Sequence, residues 1–274
     1  MPNVAVEPDL EKKSRELGSM SLMQHLEELR RRIIYSIVAV GACFGVGFYY
    51  ADRIFEKMSL PIKTALANHG YNPKLVVTSP TDAFNLYLKI GLIAGIFVAA
   101  PFLLYQVWMF ISPGLYRNEK RFVLPFLLVS ISLFLSGGIF GYKIVYPVAL
   151  DFLIGYSKDF QPMMLAHSYT DLFLTIILGL ALIFELPIVL GFAALMGVVS
   201  AKFLFKHIRG AVFLCFVAAA ILTPTTDIMN MTIYAAPMVM LYILSIGIAW
   251  FVHPTQRRKR KEKKEQKQKR NEGN

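Results

Sequence analysis

The residues best placed to do chemistry are a few carboxylates in unusual company. Glu27 and Glu28 stand in the run His25-Leu26-Glu27-Glu28-Leu29-Arg30-Arg31-Arg32, and Glu119 stands in Arg117-Asn118-Glu119-Lys120-Arg121. A guanidinium binds a carboxylate through two parallel hydrogen bonds, so two separated acids suit a ligand carrying two arginines. A plainer role is also open to Glu28. On a helix, Arg31 and Arg32 lie at i+3 and i+4, and each such ion pair is worth about 0.2–0.5 kcal/mol. Glu185 lies inside a long apolar run, where an ionisable group is costly and points to function. It can bind a substrate, a proton or a neighbouring helix. Pro187 also frees carbonyls of the preceding turn, which a protonated Glu185 could bond locally.

Other chemistries lack their residues. His25, His69, His167, His207 and His253 are scattered, with no metal-ligand spacing. Cys43 and Cys215 both sit in apolar runs and read as small buried or lipid-facing residues. No Gly-rich phosphate loop or nucleophile elbow occurs, and no cofactor is expected. Gly137-Gly138 with Gly141 reads as helix packing. The net charge is +11, but ten of the 29 basic residues crowd into Arg257–Arg270. A nucleic-acid binder would spread them over a folded face.

The elements that must position the acids are membrane spans. The 274 residues are 55% hydrophobic, concentrated in runs near the roughly 20 residues a span requires. Residues 1–20 read as a flexible polar tail without the apolar core of a targeting signal. Ser21-Leu22-Met23-Gln24 is a capping box, and Leu22, Leu26, Leu29 and Ile33 share one face of a short interfacial helix. Spans are expected at about 33–50, 84–110, 122–145, 169–199, 210–222 and 229–252. Pro101 should bend the second, and Glu185 and Pro187 interrupt the fourth. The fifth is short, so a re-entrant hairpin is its competing reading. Residues 51–83 suggest a short helix and loop, with an extended piece at Lys74–Thr78, and 146–168 a second loop. Asp227 can cap the turn into the last span.

Orientation follows from alternating loops. With the N-terminus inside, inside segments hold 22 Lys and Arg and outside segments 5. The expectation is an all-α integral membrane protein with six transmembrane helices and both ends cytoplasmic. Residues 21–252 form the membrane domain, and 253–274 form a basic tail held near anionic lipid. Glu27, Glu28 and Glu119 then share the cytoplasmic face.

These pieces resemble TatC, the multi-spanning subunit of the twin-arginine (Sec-independent) protein translocase, from about Met20 to Phe251. The resemblance is carried by HLEELRRR at 25–32, Leu60-Pro61-Ile62, APFLLYQVWMFISPGLYRNEKR at 100–121, FELP at 184–187, LTPTTD at 222–227 and Pro237. It implies a receptor in the bacterial cytoplasmic membrane, not an enzyme, with a concave helix bundle. Such a receptor binds signal peptides of folded precursors and recruits TatA- and TatB-type single-span subunits. Transport is driven by the proton-motive force, and the chain self-associates in a larger complex. By motif, Glu28 and Glu119 would recognise the paired arginines, with Arg30 and Phe110 beside them. Glu185 would face a groove and contact partners, and Pro61 and Asp227 match outside-face positions that matter for assembly. Thr226 stands where a second proline is usual, and Asn230-Met231 where Ser-Gln is. The rival readings are a proton-coupled secondary transporter using Glu185 and a purely structural scaffold.

Overall fold

The computed structural model describes residues 22–114, 122–156, 163–223 and 228–252. Those residues are helical throughout, apart from turns and one isolated bridge. Five helical stretches are long and apolar enough to cross a membrane: Met23–Tyr49, Pro80–Ile111, Val123–Gly155, Ala166–Leu195 and Met231–Trp250. A sixth apolar helix, Ile208–Leu222, has 15 residues and spans only about 22 Å.

The first helix, α1 (Leu22–Tyr49), is continuous. The short amphipathic helix runs into the first span without a break, as expected. No Gly or Pro falls between Leu22 and Val40 to break it, and Arg32 reaches across to the fourth helix instead of lying flat. Ser21 of the capping box lies outside the described residues, as do both tails.

Two short helices follow, α2 (Ala51–Met58) and α3 (Leu60–Asn68). The expected extended piece shrinks to Val76. Its N–H donates to Met164 O at 2.9 Å, and its carbonyl accepts from Ala166 N–H at 2.8 Å. Ser79 then caps α4 (Pro80–Ile111), its hydroxyl accepting from Thr81 N–H. Pro101 sits inside α4 without ending it.

The next stretch corrects the expected loop at 146–168. Helix α5 (Val123–Phe140) passes through a wide π turn, Gly141–Val145, into α6 (Tyr146–Gly155). Pro147, which has no N–H to donate, falls in the first turn of α6, where such a donor is not required. Buried Tyr146, Ala149, Leu150 and Ile154 keep the segment packed instead of solvated. Beyond it come α7 (Ala166–Ile183) and α8 (Leu186–Leu195), separated as expected at Glu185 and Pro187. Then come α9 (Ala201–Lys206), α10 (Ile208–Leu222) and α11 (Ile228–Val252).

Backbone proximity sets the main helix pair, antiparallel α1 and α4. A Cβ on Gly91 would sit 2.9 Å from Phe48 Cα, and one on Gly95 2.8 Å from Phe44 N. A Cβ on Gly47 would meet Gly91 O at 2.5 Å. Glycine thus removes the side chains that would hold the helices apart. The Gly137 and Gly141 surfaces do the same against α7: a Cβ on Gly137 would lie 2.9 Å from Ala181 Cα.

Away from the arginines of α1, a second layer is tied down by tyrosines. Lys57 O accepts from a backbone N–H at the C-terminal cap of α2, and its second lone pair accepts from Tyr142 O–H at 2.8 Å. Tyr169 O–H donates to Met58 O, and Tyr146 O–H to Tyr169 O at 3.3 Å. All of this packs on buried Ile62, Leu66, Ile90 and Ile154.

Two outcomes follow for stability in detergent. Gly91→Val should lower the melting temperature, with an overpacking cost of about 1–3 kcal/mol. Gly41→Ala, which meets nothing within 4 Å, should not. Tyr142→Phe should cost about 1 kcal/mol. The shift in melting temperature reads it.

Candidate functional site

The register set by the glycines brings the basic start of α1 beside the end of α4. Arg32 is the hinge of this contact. Its Nε donates to Glu28 Oε1 at 3.0 Å, and its Nη2 donates to the same oxygen. Its Nη1 donates to Gln106 Oε1 at 3.1 Å. Glu28 is 10% exposed and Arg32 15%, so water screens the pair poorly. Gln106 is buried on α4.

The local ion pair expected as the plainer role of Glu28 is therefore formed, with Arg32 and not with Arg31. Yet it uses only one carboxylate oxygen. Glu28 Oε2 is buried and has no hydrogen-bond partner among the described residues. A buried acceptor without a donor is rare and costs about 1–3 kcal/mol, more when charged. Beside it opens a hollow of about 710 Å³, lined by Gln24, Glu27, Glu28, Arg30, Arg31, Ile34 and Tyr35. Glu27, Arg30 and Arg31 are exposed.

One turn outward, His25 stacks on Phe110, with ring centroids 4.2 Å apart and planes 17° from parallel. This joins two sequence candidates, the HLEELRRR run and Phe110, at one end of the α1–α4 pair. Glu119 lies outside the described residues, five positions beyond Gly114, where α4 and its short 3₁₀ turn end. Asp227 also lies outside them. Gln106 was missed by sequence reasoning. Its only signal was a lone amide in an apolar helix, and the arginine it serves is 74 positions away.

Glu185 sits at the break between α7 and α8, its backbone carbonyl accepting from Ile188 and Val189 N–H. Its side chain does not turn back on the local carbonyls. Oε2 accepts from the Ser130 hydroxyl of α5, and Oε1 is buried without a partner among the described residues. Ser130 is 1% exposed. Both residues lie toward the end of the bundle where Trp108 of α4 packs edge-on against Phe192 of α8 at 4.9 Å. Glu185 and Glu28 are thus separate polar points, each with one unused oxygen.

Pro61 lies at the start of α3 in the far layer, beside a hollow of about 590 Å³ that Thr64, Asn68, Lys143 and Asp151 also line. His69 Nε2 bonds Asp151 Oδ1 there at 2.9 Å. A further polar contact escaped the sequence reading. Lys89 of α4 pairs with Asp171 of α7 at 2.6 Å, both half-exposed. Below it an apolar cleft of about 410 Å³ runs between α4, α5 and α7, floored by Ile90, Phe97, Gly138 and Ile177. Among the described residues no cluster of three His, Cys, Asp or Glu could hold a metal.

Known proteins resemble the chain in sequence and in fold. Residues 24–237 match the family model described as Sec-independent protein translocase protein (TatC). The chain is 54% identical over 262 residues to the Sec-independent protein translocase protein TatC of Koribacter versatilis, covering 95% of this chain and 97% of the relative. It is 39% identical over 234 residues to that of Desulforapulum autotrophicum, 85% of each. A crystal structure described as the twin-arginine translocase receptor TatC superposes with a TM-score of 0.73 at 36% identity, over 82% of this chain and 97% of that one. A second, in the detergent DDM, gives 0.74 at 36% identity, over 82% and 99%. On its sequence and its fold alike, the chain belongs to the TatC family of multi-pass protein translocase subunits.

Proposed function

We propose that the chain is the receptor subunit of a twin-arginine translocase, binding the paired arginines of signal peptides on folded precursors. The observation that carries this is Glu28: an acid held in place by Arg32, with one buried oxygen unclaimed among the described residues beside an open hollow. An incoming guanidinium would supply the missing donors. Glu119 would meet the second arginine, and Phe110, stacked on His25, would wall the site. Exposed Arg30 and Arg31 repel arginines that arrive out of position, so recognition depends on spacing. Arg32 and Gln106 act as positioning residues that aim Glu28.

In this reading the membrane domain, residues 21–252, makes six crossings with both ends cytoplasmic. The short α10 counts as the fifth, with local thinning of the bilayer. The charge bias of the connecting segments supports it. The setting is the bacterial cytoplasmic membrane, and transport draws on the proton-motive force. Glu185, with its free oxygen in an apolar setting, would accept a polar group from a TatA- or TatB-type single-span subunit. Pro61 and Asp227 would shape the outer face used in assembly. Membership of a translocase family displaces the rival reading of Glu185 as the carrier of a proton-coupled secondary transporter.

Binding of a twin-arginine signal peptide to the purified protein tests the first site. Glu28→Gln and Glu119→Gln should each weaken it by about tenfold or more, the worth of a charge-assisted hydrogen bond. A peptide with paired lysines should lose affinity for the wild type by a similar factor, because lysine cannot bond in two-pronged fashion. Normal binding by both variants would refute the assignment. For Glu185, Glu185→Gln should leave the melting temperature within about 1 kcal/mol of unfolding stability but reduce co-purification of single-span subunits. Ser130→Ala should cost about 1 kcal/mol of stability and leave the carboxylate free to bind the partner.

A further inference from the structure

The last third of the chain carries a feature that signal recognition does not use. From Leu186 to Val252 the only acid in the sequence is Asp227, which precedes α11. Lys202 and Lys206 of α9 therefore have no carboxylate within their part of the sequence, and neither forms a salt bridge among the described residues. Both are exposed, one helical turn apart on the same face.

That face is held against α11 by a fixed contact. Ser200 caps α9, its hydroxyl accepting from Phe203 N–H at 3.2 Å. Tyr242 O–H of α11 donates to Leu204 O at 2.9 Å, and Leu204 packs on Ala194 and Ala249. Between the two helices runs a groove of about 670 Å³, with Lys202 and Lys206 on one wall and Ile246, Gly247 and Trp250 on the other. The space over Gly247 is open: a Cβ there would meet nothing within 4 Å. Trp250 is half-exposed at the lip.

The groove lies at the same end as Arg32 and Gln106. Trp108, two residues from Gln106, packs on Phe192 of α8, and α9 begins six residues after α8 ends. With the helices spanning a bilayer, this end falls where headgroups meet acyl chains, a level that indole rings favour.

We propose that this α9–α11 groove is a binding site for an anionic phospholipid of the leaflet at the arginine end. One acyl chain lies along Ile246, Gly247 and Trp250, and the phosphate is held by Lys202 and Lys206. Charge decides the occupant. Two unpaired cations at the rim of an apolar trough call for a ligand with a negative head and a hydrocarbon body, and basic pockets between membrane helices on that side bind such heads. The proposal is independent of how Glu28 is used.

The chain has two tryptophans, and Trp108 is buried at 5% exposure, so quenching by lipid reports Trp250. The full-length protein is placed in nanodiscs of phosphatidylcholine and phosphatidylglycerol, with one lipid at a time carrying brominated chains. At equal mole fraction, brominated phosphatidylglycerol should quench Trp250 more, with a preference of about fivefold per lysine. Lys202→Gln with Lys206→Gln should bring the preference near one, and Lys202→Arg with Lys206→Arg should retain it. A control in the basic tail, Lys259→Gln with Arg260→Gln, should leave it unchanged. Equal preference in the wild type and the glutamine variant overturns the proposal. So does a preference lost only in the tail variant. Trp250 shielded from both lipids once single-span subunits are bound would make the groove a protein interface and overturn it as well.

Discussion

Everything at the arginine end depends on how closely α1 approaches α4. With side chains removed at Gly47, Gly91 and Gly95, backbone meets backbone, and the register is fixed near the Phe44–Phe48 segment. Counting outward, eleven residues along α4 from Gly95 arrive at Gln106, and twelve back along α1 from Phe44 arrive at Arg32. At 1.5 Å per residue these are nearly equal lengths, so the amide meets the guanidinium. Buried and spoken for on two sides, Arg32 can present its partner Glu28 in only one way. A looser helix pair would leave Glu28 as an ordinary solvated ion pair worth a few tenths of a kcal/mol.

A second constraint is the accounting of backbone donors and acceptors, which an apolar setting makes strict. Each proline that interrupts a helix deprives a carbonyl of its donor, and the fold answers differently each time. At Pro61 the chain passes from α2 into α3, and Lys57 O accepts both a cap N–H and the Tyr142 hydroxyl. At Pro147 the helix widens into a π turn just before the ring. At Pro187 the helix stops and restarts, and Glu185 occupies the joint. The local use of Glu185 that the proline suggested is not the one adopted. Its side chain crosses to Ser130, because the broken turn points the carboxylate away from its own helix and toward α5.

The two ends of the bundle are thus built from different interactions. The far layer of α2, α3 and α6 is held by tyrosine hydroxyls on backbone carbonyls over a buried aliphatic core. The polar atoms left without a partner among the described residues on that core are neutral ones, such as the Tyr234 hydroxyl. The arginine end carries buried acid oxygens without donors, a hollow beside Glu28 and exposed cations. Carboxylate oxygens without donors, on helices packed tightly elsewhere, are what a face that binds cations demands.

Much of this was legible from residue order. Long apolar runs announced the helices, because crossing hydrocarbon requires both length and continuous backbone bonding. The break at Glu185–Pro187 was readable for the same local reason. HLEELRRR and its companion motifs were enough to suggest the family, which the comparisons then established. Helix α6 was not legible, since Pro147 and the polar residues after it looked like a loop, and only the π turn and packing on the far layer make it a helix. Nor were Gln106, Ser130 and the Lys89–Asp171 pair, whose partners lie 74, 55 and 82 positions away. Composition and periodicity determined that these helices exist and which face of each is apolar. Tertiary packing alone decided which oxygen of Glu28 and of Glu185 is left over, because a spare lone pair is a property of neighbours distant in the chain.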